Sequence, residues 1–136
     1  MANRSISLGI LFAALLLAAA NCRAPSRSEL VGGYKIRYSY GSEELRLNSD
    51  GTYVQVISLD RGGLRASNSG KWEYREKKGE LSLIDPLLVD DNFGKVSSTW
   101  MSPRAGLWSL AAEKWPTGSV TLYYSPDFDY RFEKTE

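Results

Sequence analysis

Hydrophobic and polar residues alternate along most of this chain, and the alternation has a period of two. In Tyr34-Lys35-Ile36-Arg37-Tyr38-Ser39-Tyr40 every even position is apolar or aromatic and every odd one polar, the pattern of a half-buried strand with one wet face. Leu45 and Leu47 carry it into a second short strand. Asn48-Ser49-Asp50-Gly51 then supplies turn chemistry, with Gly51 able to take positive φ, ahead of the β-branched and aromatic run from Thr52 to Leu59. Together these predict a hairpin. Asp60-Arg61-Gly62-Gly63 breaks the run, and Gly70-Lys71-Trp72-Glu73-Tyr74-Arg75 resumes the alternation with Trp72 and Tyr74 on one face. Lys78-Gly79 turns into Glu80-Leu81-Ser82-Leu83-Ile84, which stops at Asp85-Pro86 because proline cannot donate to a ladder.

From Leu87 to Gly106 the pattern is least regular, with a short strand suggested around Val96, Ser98 and Trp100. Regularity returns from Leu107 to Lys114, breaks at Trp115-Pro116-Thr117-Gly118, and resumes from Ser119 to Tyr124. A last strand, Asp127 to Glu133, alternates aromatic and charged residues without a lapse. The expectation is an all-β domain, a single antiparallel barrel of about eight strands, with a sandwich as the second choice. Tyr34, Tyr38, Trp72, Tyr74, Tyr124, Tyr130 and Phe132 share the inward parity. They either fill the core or line a barrel mouth able to hold an apolar ligand or a sugar ring, with Tyr38, Trp72, Tyr74 and Tyr124 the candidate ligand contacts. Trp100, Trp108 and Trp115 fall in the less regular half, where exposed rings would instead mark a partner surface.

The first residues follow another rule. Arg4 precedes an apolar run from Ile6 to Ala20 that ends in three alanines, the n-region, h-region and small-residue pattern of an export signal. The run is interrupted by Ser7 and Gly9 and falls short of the roughly 20 apolar residues of a stable membrane span. Ala18 and Ala20 suit ordinary cleavage before Asn21, while Leu17-Ala18-Ala19-Ala20-Asn21-Cys22 resembles a bacterial lipobox, with Asn21 where Gly, Ala or Ser is usual. Cys22 is the chain's one cysteine. It cannot form an intramolecular disulfide, so it is either an acylated anchor or a free or intermolecularly paired thiol. The chain therefore divides into a signal over 1–21, a polar tether over 22–29 that follows a lipidated Cys22, and a barrel over 30–136. Its expected place is the bacterial cell envelope, membrane-anchored if Cys22 is acylated and otherwise periplasmic or secreted. Residues 22–136 are one domain's worth, large enough to fold as a monomer.

Leu30-Val31-Gly32-Gly33-Tyr34 resembles the Gly-x-aromatic opening of lipocalin-like barrels, with Tyr34 where Trp is usual. Leu45-x-Leu47-x-x-Asp50-Gly51-Thr52-Tyr53, followed by Ser69-Gly70-Lys71-Trp72, is similar to the hairpin and next strand of small bacterial lipoproteins of that shape. The resemblance implies that the first and last strands lie side by side and close the barrel. It also implies that a basic residue of the last strand, Arg131 here, covers the aromatic of the first, Tyr34.

Composition mainly excludes. The chain has no His, so Ser-His-Asp and Cys-His catalysis and the usual imidazole metal ligand are missing. No Gly-x-Ser-x-Gly elbow or phosphate-binding Gly-x-x-x-x-Gly-Lys occurs. Asp127 and Asp129 share a strand face, as paired glycosidase carboxylates might, but that face is opposite Phe128, Tyr130 and Phe132 and reads as solvated. Glu43 and Glu44 would point to opposite sides of a strand. Asp90, Asn92 and Gly94 fail as a calcium loop, because Met101 stands where a bidentate Glu is required. Lys plus Arg number 17 and Asp plus Glu 16, and Arg4 is the one charge of the leader. The mature chain is thus formally neutral, which argues against nucleic acid as a partner. Neither enzyme activity, cofactor nor metal is expected. Two readings remain: an envelope lipoprotein whose lipocalin-like domain binds an apolar small molecule or lipid, and a structural or protein-interaction lipoprotein with a filled core and no ligand.

Overall fold

The computed structural model describes residues 22–88, 91–92, 95–96, 103–125 and 130–135. The leader, Trp100 with its suggested strand, the rejected calcium loop and the Asp127/Asp129 pair therefore lie wholly or partly outside the described residues. In chain order the elements are a short helix α1 (Arg27–Leu30), then β1 (Gly32–Tyr38), β2 (Gly41–Leu47), β3 (Thr52–Leu59), β4 (Arg65–Arg75), a 3₁₀ turn (Glu76–Lys78) and β5 (Glu80–Ile84). A two-rung hairpin of β6 (Asp91–Asn92) and β7 (Lys95–Val96) follows, then β8 (Leu107–Lys114), β9 (Val120–Ser125) and β10 (Tyr130–Lys134). Eight of these strands form a closed antiparallel barrel in the order β1-β10-β9-β8-β5-β4-β3-β2, with β6 and β7 paired outside it. Closure comes from β1 and β10, through Tyr34 opposite Lys134 and Lys35 opposite Glu133. No open edge is left in the main sheet.

The period-two pattern places the core. Tyr34, Ile36 and Tyr38 of β1, Leu45 and Leu47 of β2, and Tyr53 of β3 point inward and are buried, as are Trp72, Leu81, Leu83, Leu110, Leu122 and Phe132 on the remaining strands. Outward residues pair across strands, as Lys35 does with Glu44 at 3.5 Å and Arg37 with Asp60 at 2.6 Å. β4 is longer than its alternation suggests: it begins at Arg65, because Arg65 to Lys71 ladder onto Ser58 to Thr52 although this stretch carries no large apolar side chain. Backbone pairing carries that stretch where hydrophobic periodicity is silent.

The strands run alternately between two ends. One end, the base, carries the 48–51, 75–79 and 115–119 turns, and residues 23–30 dock on it. The polar tether expected over 22–29 is instead fixed from Arg23 on: Arg23 exchanges two backbone hydrogen bonds with Lys114, at 3.1 and 2.7 Å, and α1 seats Leu30 fully buried. The cause is Glu29. Its carboxylate accepts from Arg23 at 3.0 and 3.1 Å, from Lys114, and from the Ser26 N–H at 2.8 Å. The Arg23 and Lys114 partners, with the Ser26 amide, hold Glu29 well below the ordinary carboxylate range. Arg27 lies 4.0 Å over the Trp72 ring, the Tyr34 hydroxyl donates to the Leu30 carbonyl at 2.7 Å, and the Tyr74 hydroxyl to the Pro25 carbonyl at 2.7 Å.

Gly70 is closely packed in the wall. A methyl group there would meet the Tyr53 ring at 2.6 Å and the Ile84 carbonyl at 2.8 Å, while the Tyr53 hydroxyl donates to that same carbonyl at 2.9 Å. Gly70→Ala is expected to cost about 1–3 kcal/mol by overpacking, read as a lower urea midpoint. An unchanged midpoint would mean that Tyr53 does not lie across the strand in solution.

Candidate functional site

At the end opposite the base, the mouth, the inward parity brings aromatic rings together. Tyr38 stacks on Tyr40 with centroids 5.1 Å apart and planes within 9°. It meets Tyr124 at 6.4 Å and Tyr130 at 5.7 Å, edge to face. Tyr124 in turn meets Tyr130 at 6.4 Å and Trp108 at 4.9 Å, and Trp108 reaches Phe132 at 6.2 Å. The column grades from a fully buried Phe132 to Tyr124 and Tyr130, whose exposures are 39 % and 37 %. Their positions follow from topology: Tyr38 ends an up-running strand, Tyr124 lies near the end of another, and Tyr130 begins a down-running one.

Beneath the rings lies a polar cluster that alternation alone does not announce. Glu43 of β2 and Gln55 of β3 occupy inward positions and are 3 % and 0 % exposed. The Tyr38 hydroxyl donates to Glu43 Oε2 at 3.2 Å, and Gln55 Nε2 donates to Glu43 Oε1 at 2.6 Å. The Gln55 amide also exchanges two hydrogen bonds with the backbone of Leu87, donating to its carbonyl at 2.8 Å and accepting from its N–H at 2.8 Å. It thereby acts as a substitute strand for the first residues of the connection after β5. Leu87 is drawn into the barrel and packs with Ile57 and Leu59. Asp85, at φ 52°, clips the connection from the other side, its Oδ1 accepting from the Gly106 N–H at 2.9 Å. Glu44, by contrast, faces outward, as the alternation requires.

Burial pushes the Glu43 carboxyl up to about 7 against the opposing hydrogen bonds from Gln55 and Tyr38. Burial first, then the charge of Glu43, pushes the Tyr38 phenol far up. Among the described residues no Lys or Arg pairs with Glu43. The arrangement is a buried carboxyl group whose pKa burial raises, one side chain away from the exposed rings of Tyr124 and Tyr130.

Of the four ligand contacts read from the sequence, the structure brings Tyr38 and Tyr124 together at the mouth and puts the other two elsewhere. Trp72 lies toward the base, its Nε1 donating to the Asn48 carbonyl at 3.0 Å under the Arg27 guanidinium, and Tyr74 is bonded to Pro25. Parity gives the side of the wall, whereas position along the barrel axis depends on strand ends that alternation leaves open. The closure pair also shifts. The cation over the Tyr34 ring is Lys134, whose Nζ is 5.8 Å from the ring centroid and donates to the Glu29 carbonyl at 2.7 Å. Arg131 is an odd number of residues away from Lys134, so it faces outward, beside Glu133 at 3.4 Å. Trp108 belongs to the inner column, and Trp115, 39 % exposed, sits by the base with its Nε1 donating to Thr121 at 3.2 Å.

The described surface grooves run along the outer wall and base. One of about 430 Å³ is lined by residues including Lys35, Glu44, Arg46 and Val56, and another of about 620 Å³ lies at the base between Arg27, Val31, Ser49 and Glu76. Neither has the inward aromatic lining of the mouth. Among the described residues no group of three potential metal ligands comes together. Compared with family models, curated proteins and solved structures, the chain has no match, so the site is read from its own residues.

A raised carboxyl pKa has a defined sign in folding. The stability that Glu43 contributes is full below its unfolded value near 4.5 and is lost as pH rises through about 7. That span corresponds to about 3 kcal/mol. Glu43→Gln, which keeps size and hydrogen bonding but cannot ionise, is expected to match the parent at pH 4.5 and to melt above it at pH 8. Parallel stability curves across that range would show that Glu43 ionises freely.

Proposed function

We propose that this protein is a cell-envelope lipoprotein whose lipocalin-like barrel takes an apolar small molecule or lipid at its aromatic mouth. The observation that carries the reading is the asymmetry of the two ends. The base is sealed by residues 23–30 around Glu29, while the mouth presents Tyr124 and Tyr130 edge to face around Tyr38. Ligand sites are mostly apolar with a few fixed polar groups. Tyr38, Glu43 and Gln55 are the polar groups here.

The anchor fits the same polarity. Cys22 is exposed and immediately precedes Arg23, whose backbone is bonded to Lys114 at the base. An acyl chain on Cys22 would hold the sealed end toward the membrane and turn the mouth toward water, so the ligand would arrive from the aqueous side. The activity is binding, not catalysis. A second reading, an interaction lipoprotein with a filled core, draws on the dense packing from Leu30 to Phe132 and on Leu107, which is 65 % exposed.

Delipidated protein titrated with fatty acids, phospholipids and cell-wall sugars is expected to give a saturable tryptophan fluorescence change with at least one apolar ligand. Trp108→Phe, beside Tyr124, should diminish the change and Trp72→Phe should preserve it. Absence of saturation with every ligand would favour the interaction protein. Separately, Cys22→Ser is expected to move the protein from the detergent phase to the aqueous phase; a variant that stays in detergent would place the anchor elsewhere.

A further inference from the structure

We propose that the ligand of the mouth is an organic cation, an amine or quaternary ammonium carried on an apolar body, with its charge set against the Tyr38, Tyr124 and Tyr130 rings and neutralised by Glu43. The inference rests on the reading of the mouth as a binding site and names the chemistry of what it binds.

Three observations converge. Glu43 is a carboxyl 3 % exposed inside a barrel, and no Lys or Arg among the described residues pairs with it. Buried carboxylates are ordinarily paired or driven neutral, and among the described residues nothing cationic offsets Glu43 when it ionises. The rings above it are arranged edge to face, at 63° between Tyr38 and Tyr130 and 68° between Tyr124 and Tyr130. In that geometry the electropositive edge of one ring points at the electron-rich face of the next, so the faces already receive positive charge. An ammonium group at the same place makes the stronger version of that contact. Finally, Tyr38 joins the two: it contacts both exposed rings and its hydroxyl is 3.2 Å from Glu43, so one side chain separates the exposed rings from the acid. A fatty acid or other anion would meet a carboxyl and three electron-rich faces, which both oppose it.

Among the described residues the groups facing Glu43 are the Tyr38 phenol, the Gln55 amide and, farther off, the Tyr53 phenol, which burial pushes up to about 12. None of them gains or loses a proton between pH 5.5 and 8, so pH dependence of binding in that window reports Glu43. A cation that binds the ionised carboxylate displaces a proton from the protonated fraction.

The test uses the purified full-length chain and four probes with one decyl tail: decyltrimethylammonium, decylamine, decanol and decanoate. At pH 8 the two cations are expected to bind at least tenfold tighter than decanol, with decanoate weakest. At pH 5.5 the advantage should shrink several-fold, and near pH 7 calorimetry in buffers of different ionisation enthalpy should show proton release on cation binding. Glu43→Gln should abolish the advantage while leaving decanol binding intact. Tyr130→Leu, at a ring that is 37 % exposed, should weaken the cations more than decanol and gives a second route if Glu43→Gln misfolds. Equal binding of all four probes, or tighter decanoate, would overturn the inference while leaving the mouth a binding site. Binding of none would overturn both.

Discussion

The pairing of Gly32–Tyr38 with Tyr130–Lys134 decides what the other strands can do. A sheet with two free edges could flatten or slip, and one-residue slippage would exchange its inner and outer faces. Once Tyr34 stands opposite Lys134, the circumference is set and each strand's inward parity is fixed by its neighbours on both sides. The Lys134 ammonium then lies over the Tyr34 ring and binds the Glu29 carbonyl, so strand closure and the sealing of the base share one side chain. The docked segment 23–30 depends on this twice, since Glu29 also gathers Arg23 and Lys114 from beyond the helix.

Closure at the base makes the opposite end different in kind. There the inward residues that would fill a layer of aliphatic core are rings. Tyr38, Tyr124 and Tyr130 hold one another by edges and faces, which keeps them in contact while leaving two of them more than a third exposed. The start of the long connection bends in beside them because Gln55 supplies the backbone partners that a ladder strand would otherwise give Leu87. The mouth is thus built from strand ends, a side-chain amide and a loop, and only the first of these has a periodic signature.

That difference explains what the residue order reveals. Alternation in Tyr34–Tyr40, Thr52–Leu59 and Leu107–Lys114 was enough for the strands and their faces, and turn chemistry at Asn48–Gly51 enough for a hairpin whose Gly51 takes φ 86°. Trp72 and Tyr74 show the limit: their inward side is legible, but their distance from the mouth depends on where β4 begins, and it begins in Arg65–Ser69, which has no hydrophobic period. Residues 22–29 read as a polar tether because Pro, Ser and Arg suit one; the docking of this segment follows from Glu29 meeting Lys114, a contact across 85 positions that no local pattern encodes. Glu43 and Gln55 were visible in one respect. Both sit at apolar parity within strands, and a charged residue at an inward position is the feature most in need of a partner.

Stability by itself does not account for that acid. Pinning of Leu87 needs the Gln55 amide, whose carbonyl and one N–H serve the loop backbone, and it would persist with any residue at position 43 that fills the space. Replacement of buried charged groups by apolar residues of like volume is commonly neutral or stabilising, so a barrel selected for its core would place Leu or Met beside Leu45 and Leu47. Glu43 instead holds a carboxyl against a phenol and an amide, with all buried polar side-chain atoms among the described residues satisfied and no internal cation. The hydrogen bonds keep the carboxyl oriented, and burial keeps it near its titration point. A group so placed would interact strongly with any charge brought near it, and Tyr38, which contacts the exposed rings and bonds Glu43, makes the mouth the nearer end for such a charge.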